Sequence, residues 1–159
     1  MSLLDMDERL LDLPDKIELV YSPIMDAKVF PTDVDLTLVE GSVANDDNEK
    51  TLRQIRERTR ILVALGDCAV TGNVPSMRNF FTRDSVLQRA YTENVELNQC
   101  IPDKHVPPLL PHVRPLHSVV KVDLFVPGCP PSADVIHFTL TELLEGRMPA
   151  ITSLTRFGK

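Results

Sequence analysis

The feature that most constrains this fold is a short, almost wholly apolar run at residues 61–65, which ends at Gly66. A strand with one face in water alternates apolar and polar residues, whereas a strand of a parallel sheet is covered on both faces and reads as a continuous apolar run. The run therefore predicts a strand that is buried on both faces of a parallel sheet.

The rest of the chain alternates predicted strands with predicted helices. Strands are predicted at residues 17–21, 34–40, 61–65 and 119–126, and helices at residues 2–11, 45–59, 75–80, 84–93 and 132–145. Asn45 is expected to cap the second helix, and Asp84 or Ser85 the fourth. The prolines of residues 98–115 predict a long irregular loop. This alternation is typical of a doubly wound α/β domain, and the length of 159 residues predicts a single domain over residues 1–159.

Composition excludes two classes of partner. A formal charge of −6 offers no basic face for phosphate, so we expect no nucleic acid partner. No apolar run approaches the roughly 18 residues that would span a membrane, so we expect no membrane segment. The three cysteines cannot all pair with one another, and Met1 opens no secretory leader. Both observations favour a reducing, cytoplasmic compartment, where thiols more often serve metals or redox chemistry than disulfides.

Three predicted strands end at glycine-marked exits that carry chemically useful side chains. The exits are Glu40-Gly41, Gly66-Asp67-Cys68 and Gly128-Cys129. The carboxyl ends of parallel strands meet at one edge of the sheet, where α/β proteins form their sites. The sequence therefore predicts that two thiols and a carboxylate converge there.

The two cysteines at these exits differ in the strength of their context. Cys129 lies among Pro127, Pro130 and Pro131, just ahead of a predicted helix, where the helix N-terminus favours a thiolate. The alternative is a rigid proline turn with an incidental small residue. Cys68 alone would suit a buried packing position, but its small neighbours leave room for a bulky ligand. Cys100 has no such frame and is predicted not to be a ligand.

The other candidate residues carry less specific patterns. Glu40 either caps a strand or serves a proton path at the same edge. The four histidines show no metal-ligand spacing. Arg78 either contacts a partner or an anionic cofactor, or is a solvated helix residue. Cubane iron–sulfur clusters normally take four cysteine thiolates, and this chain offers two well-placed ones.

Four segments together resemble one known family. They are residues 66–79 (GDCAVTGNVPSMRN), 39–43 (VEGSV), 127–131 (PGCPP) and 2–9 (SLLDMDER). Together, and in the order in which they follow one another along the chain, they resemble the small subunit of cytoplasmic, bidirectional NAD-reducing nickel–iron hydrogenases. That subunit is related to the cluster-bearing 20-kDa subunit of respiratory complex I.

The resemblance implies a flavodoxin-like fold with one [4Fe–4S] cluster, next to the nickel–iron centre of a large partner subunit. Electrons would pass through it to flavin/NAD diaphorase subunits. Cys68 and Cys129 match two ligands, and Glu40 matches an acidic position near the cluster. The other two ligands form a Cys-x-x-Cys pair after the family's first strand. We expect this pair and that strand to lie upstream of Met1, so that the domain is N-terminally incomplete here.

Three alternatives remain open at this point. The chain is a flavodoxin-like module that binds FMN, although no residue supports a flavin; it is a scaffold subunit without a cluster; or it is a quinone-linked subunit of the complex I type. Iron, sulfide and visible absorption distinguish a cluster from a flavin.

Overall fold

The computed structural model describes residues 4–11, 13 and 15–155, and two sheets organise them. The strands are β1 (Val34–Glu40), β2 (Val43–Asn45), β3 (Thr59–Leu65), β4 (Leu109–Arg114) and β5 (Leu124–Val126). The α-helices are α1 (Asp46–Arg58), α2 (Asp67–Thr71), α3 (Arg83–Gln88) and α4 (Ala133–Leu144). A parallel sheet has the order β1-β3-β5, and β2 pairs with β4 in a small antiparallel sheet.

The central strand β3 is buried on both faces, as its apolar run predicts. On one face Leu62 packs in a cluster with Leu52 and Ile55 of α1. On the other face Val63 packs in a cluster with Val135 of α4. Successive strand side chains point to opposite faces, so one continuous apolar run contributes side chains to the core on both faces of the sheet. Helices on both faces of a parallel sheet confirm the predicted doubly wound α/β class.

Two helices begin directly after a residue whose side chain caps them, and Asn45 is the cap that the sequence predicts. The Asn45 side chain accepts a hydrogen bond from the Asn48 backbone N–H at 2.7 Å, and α1 begins at the next residue. The Ser132 hydroxyl accepts from the Val135 N–H at 3.4 Å, and α4 begins at Ala133. Each cap supplies a partner to a backbone donor that the first helical turn leaves open.

The strand predicted at residues 17–21 is wrong, because these residues form no ladder. Their side chains are exposed or partly exposed, among them Ile17, Leu19 and Val20. β-branched residues favour a strand only where a neighbouring strand supplies hydrogen-bond partners and packing. Within the described residues, β1 has a paired strand on one side alone, which is β3.

The last predicted strand is shorter than its sequence pattern. Of residues 119–126 only Leu124–Val126 join the sheet, while Val119 and Val122 pack against the core from a non-ladder segment. The Asp123 carboxylate accepts a hydrogen bond from the Leu62 N–H at 2.9 Å, and its own N–H donates to the Leu62 carbonyl at 2.9 Å. Asp123 thereby fixes the point at which β5 starts to pair.

The proline-rich segment is only partly irregular, which corrects the prediction for residues 98–115. Its last part forms β4, which pairs with β2 through two residue pairs with an irregular register between them. Pro111 has no N–H to donate, a limitation that edge strands tolerate. Arg78 donates to the carbonyls of Pro111, Ala44 and Leu110. The structure thus uses Arg78 to tie this small sheet together.

The first and fourth predicted helices also differ from expectation. The described part of residues 2–11 is a 3₁₀ segment, Leu4–Leu10, interrupted at Asp7, whose φ is +49°. Ser2, Leu3 and Pro14 lie outside the described residues. Met6 is buried in a cluster with Ile136 and Leu140 of α4. The helix predicted at 84–93 begins one residue earlier, at Arg83, and the predicted cap, Asp84 or Ser85, is wrong: the cap is Thr82, whose hydroxyl accepts from the Ser85 N–H.

None of the helices in the described part of the chain is long and apolar enough to cross a membrane.

Candidate functional site

The register of the parallel sheet brings the three predicted strand exits into one row. Glu40 of β1 lies beside Leu65 of β3, and Leu65 lies beside Val126 of β5. Cys68 follows Leu65 by three residues, and Cys129 follows Val126 by three. The carboxyl edge of the sheet therefore carries both cysteine turns side by side, with the end of β1 next to them.

Three hydrogen bonds join the two cysteine turns. The Gly66 N–H donates to the Val126 carbonyl at 2.7 Å, and the Asp67 N–H donates to the Gly128 carbonyl at 2.8 Å. The Gly128 N–H donates back to the Asp67 carboxylate at 2.7 Å. The Asp67 side chain, on a residue that is only 4% exposed, thus contacts the turn that carries the second cysteine.

Gly128 is required by the shape of its turn. Its φ is +141°, and a Cβ placed on it would lie 2.5 Å from Pro131 Cα and 2.7 Å from Pro131 N. Real carbon contacts lie near 3.5–4.0 Å. Glycine is therefore the residue that lets the chain turn back against Pro131 and present Cys129 at the surface. The Cys129–Pro130 peptide bond is cis.

The thiols of Cys68 and Cys129 are both free; Cys68 is half-buried and Cys129 is exposed. The Asn73 side-chain amide donates to Cys129 Sγ at 3.5 Å. Asn73 has a φ of +32° and follows Gly72, which ends α2 in the left-handed conformation. The segment after α2 therefore bends across the edge and supplies a donor to sulfur.

The electrostatics of the site bear mainly on Cys68. Burial raises the pKa of its thiol above the ordinary value, and the neighbouring Cys129, Asp67 and Glu40 raise that pKa further. A backbone hydrogen bond from Val74 acts in the opposite direction and lowers it. These neighbours therefore disfavour the Cys68 thiolate. An uncompensated thiolate is costly at this position, whereas a cationic metal centre would stabilise it.

The remaining candidates lie apart from this row or have other contacts. Cys100 is exposed in the irregular segment before β4, where its thiol donates to the Ile101 carbonyl at 3.6 Å. The His117 ring packs edge-on against Phe125, with centroids 5.7 Å apart. Within residues 4–11, 13 and 15–155 no group of three His, Cys, Asp or Glu side chains is arranged to hold a metal ion.

The chemistry of the donor set nevertheless fits part of an iron–sulfur site. Two free thiols on adjacent turns match the thiolate ligands that iron–sulfur clusters take. The glycines Gly66, Gly72 and Gly128 place no side chain at the turns, and Asn73 offers a hydrogen bond to sulfur. Two thiols are half the number that a four-cysteine cluster takes.

An exposed apolar surface lies directly beside the cysteines. The 3₁₀ helix Val74–Phe80 follows Asn73, and residues spaced by three share one side of such a helix. Val74, Met77 and Phe80 follow that spacing and are 63%, 62% and 87% exposed. Phe81, at the end of this helix, is also exposed. We call these four residues the apolar face; large exposed apolar patches typically mark interaction sites.

A doubly wound α/β domain with a pair of free cysteines at the carboxyl edge of its sheet is the class of protein defined by these observations. Comparison with known proteins identifies the family. The chain belongs to the family described as NADH ubiquinone oxidoreductase, 20 Kd subunit, whose profile matches residues 1–143.

Individual relatives are hydrogenase subunits. The chain is 41% identical over 152 residues to the NAD-reducing hydrogenase HoxS subunit delta of Cupriavidus necator, covering 92% of this chain and 73% of that protein. It is 37% identical over 153 residues to a vhu subunit of the F420-non-reducing hydrogenase of Methanocaldococcus jannaschii, covering 95% of this chain and 53% of that protein. The chain thus spans about half the length of this second relative.

A solved structure supports the same grouping. A chain in the crystal structure of an NAD⁺-reducing [NiFe]-hydrogenase in the H2-reduced state superposes with a TM-score of 0.93 at 39% sequence identity. The superposition covers 99% of this chain and 90% of that one. The resemblance identified in the sequence and the expected α/β fold are therefore confirmed.

Sequence reasoning missed two residues of this edge. Asp67 and Asn73 both lie inside the segment that carries the family resemblance, yet neither was assigned a role. Asp67 could have been found as an acidic residue immediately before a cysteine at a strand exit. No sequence pattern announces the contact between Asn73 and Cys129, because the two are 56 residues apart.

Proposed function

We propose that this chain is the electron-transfer subunit of an NAD-linked nickel–iron hydrogenase, and that Cys68 and Cys129 are ligands of one [4Fe–4S] cluster. The observation that carries the proposal is the set of hydrogen bonds that holds the two cysteine turns together at one edge of the sheet. The similarity to hydrogenase subunits over nearly the whole chain supports the same function.

The proposal requires more ligands than this chain supplies at the site. A [4Fe–4S] cluster takes four cysteine thiolates, so two further cysteines from outside residues 1–159 would complete the set. Cys100 is not proposed as one of them, because its thiol contacts its own loop. Glu40 stays a candidate for proton movement or occasional metal ligation, because it ends β1 beside the cysteine turns.

When bound, the cluster would accept and release single electrons between a nickel–iron large subunit and a flavin/NAD diaphorase module. The chain's own residues would hold it and tune it. Burial and hydrogen bonds to sulfur set the potential of such a cluster. Asn73 supplies one such hydrogen bond to Cys129, and half-burial of Cys68 limits contact with water. Free thiols fit a reducing compartment, and we propose that the complex is cytoplasmic.

The apolar face is the surface that we propose for the large subunit. It adjoins Cys68 and Cys129 through Asn73, so a partner seated there would bring its redox centre close to the cluster. A Phe80→Ser variant should weaken assembly with the large subunit. The matched control is Leu144→Ser. Leu144 is also exposed, but it lies at the C-terminal end of α4, about 18 Å along the helix axis from the start of that helix near Cys129.

Cysteine replacement in the purified complex tests the central part of the proposal. Cys68→Ser and Cys129→Ser should each lower iron and acid-labile sulfide and abolish the electron paramagnetic resonance signal of the reduced cluster. Cys100→Ser is the control and should change neither. Flavin absorption bands from this subunit without iron or sulfide would refute the proposal in favour of an FMN module. Unchanged hydrogen-dependent NAD⁺ reduction in the Cys68/Cys129 double variant would instead favour a scaffold without a cluster.

A further inference from the structure

We infer that Asp67 is the positioning residue of this site, with its carboxylate fixing the Cys129 turn against the Cys68 turn and placing a negative charge beside the cluster. The inference rests on the proposed function, because it concerns the same site. It goes further in naming a residue that is not a ligand and in stating what that residue controls.

Asp67 contacts the Cys129 turn through both its backbone and its side chain. Its backbone N–H donates to the Gly128 carbonyl at 2.8 Å, and its carboxylate accepts from the Gly128 N–H at 2.7 Å. The residues that follow these two partners are Cys68 and Cys129. A displacement of one turn relative to the other therefore changes the separation of the two sulfurs directly.

We call the two hydrogen bonds between Asp67 and Gly128 the clamp. The clamp needs the side chain of Asp67 as well as its backbone. Any residue at position 67 other than proline can donate its N–H to Gly128, but only an acceptor side chain satisfies the Gly128 N–H in return. That N–H is buried with its partner, and a buried donor without an acceptor is strongly disfavoured. A carboxylate on a residue that is 4% exposed is itself costly unless it is hydrogen-bonded.

The charge of Asp67 acts on the same sulfurs. Its carboxylate belongs to the residue before Cys68 and lies 2.7 Å from the N–H of Gly128, the residue before Cys129, so its charge stands beside both cysteine turns. A fixed negative charge resists the arrival of an electron at a nearby cluster, since like charges repel strongly where water is excluded. Asp67 should therefore hold the reduction potential of the cluster lower than a neutral residue would.

The chain offers a matched control for this charge. The Asp123 carboxylate also joins β3 and β5, accepting a hydrogen bond from the Leu62 N–H at 2.9 Å. It lies before β5, at the end of the sheet remote from the cysteines. Asp123→Asn removes the same charge between the same strands without touching either cysteine turn.

The test compares Asp67→Asn, Asp67→Ala and Asp123→Asn in the complete purified complex. Iron content and the midpoint potential of the cluster, followed by electron paramagnetic resonance during redox titration, are the two readouts. In Asp67→Asn the amide oxygen can still accept from Gly128, so iron should be retained while the potential rises. In Asp67→Ala the acceptor is lost, so iron content should fall, and the signal of this subunit's cluster should drop to less than half of its wild-type intensity. Asp123→Asn should keep the wild-type potential and iron.

Several results would overturn the inference. An unchanged potential in Asp67→Asn would contradict the role of the charge, and full iron content in Asp67→Ala would contradict the clamp. An equal rise of potential in Asp123→Asn would show that the shift follows from general loosening of the sheet. If Asp67→Ala does not accumulate, Asp67→Asn tests both parts: its potential tests the charge, and loss of iron despite the retained acceptor would contradict the clamp. Wild-type complex without iron in this subunit would instead refute the proposed function, which separates the two failures.

Discussion

Replacing Gly128 by alanine should destabilise the subunit more than the same change at a glycine whose turn has open space around it. The Cβ would lie 2.5 Å from Pro131 Cα and 2.7 Å from Pro131 N, both backbone atoms. Restoring an ordinary contact of about 3.5 Å requires the turn to move by roughly 1 Å. Overpacking of this kind costs about 1–3 kcal/mol, and the positive φ of +141° adds about 1–3 kcal/mol for a residue with a side chain.

Gly146 provides the control that separates these two contributions. Its φ is +75°, but a Cβ there meets nothing within 4 Å. Gly146→Ala should therefore cost only the backbone contribution, about 1–2 kcal/mol. Thermal unfolding of the purified subunit, followed by circular dichroism, should place Gly128→Ala below Gly146→Ala. The separation corresponds to roughly 2–4 °C for each kcal/mol at this chain length. Equal midpoints for the two variants would refute the contact with Pro131.

Three further outcomes are expected from the packing and charges of the chain. Asp123→Asn should cost about 1–3 kcal/mol of unfolding free energy at pH 7. Partial burial raises the pKa of Asp123, but the hydrogen bonds from the Leu62 N–H and Arg56 outweigh it and hold that pKa below 3.8. The stability advantage of the wild type is therefore complete above pH 3.8 and is lost as the pH falls through the lower folded-state pKa. An advantage that persists in stronger acid would contradict this. Met6→Ala should cost about 2–5 kcal/mol in urea unfolding, because Met6 is 1% exposed, whereas Leu4→Ala, at a residue 63% exposed, should stay within about 0.5 kcal/mol; similar losses would argue against burial of Met6. Cys100→Ser should leave both stability and iron content unchanged, and loss of iron would make Cys100 a ligand.

The sequence predicts the elements whose signals are local. The apolar run of β3 specifies its own burial, and Asn45 and Ser132 each offer a capping side chain at the start of a helix. These features act within a few residues, so pattern reasoning finds them. The shared edge of Cys68 and Cys129 also follows from sequence, because parallel strands end at the same edge.

The elements that sequence reasoning mispredicted depend on distant partners. Residues 17–21 have strand-forming side chains but no paired neighbour among the described residues. β4 forms despite Pro111, because β2 and the carbonyl contacts of Arg78 hold it in place. The contacts of Asp67 and Asn73 with the Cys129 turn likewise span more than 50 residues of sequence. Long-range hydrogen bonds of this kind leave no local pattern.

The remaining predictions concern the ends of the domain. The boundaries of a single domain over residues 1–159, the upstream Cys-x-x-Cys pair and the missing first strand stay predictions. Sequencing the DNA upstream of the Met1 codon tests the last two together. An in-frame Cys-x-x-Cys codon pair preceded by a strand pattern is the expected result.

The most direct test of the central claim is anomalous diffraction at the iron absorption edge from crystals of the purified complex. The account predicts one compact group of iron sites in this subunit, bonded to both Cys68 Sγ and Cys129 Sγ at the carboxyl edge of the sheet. Iron bonded to only one of these sulfurs, or the two thiols facing separate pockets with no iron between them, would contradict it.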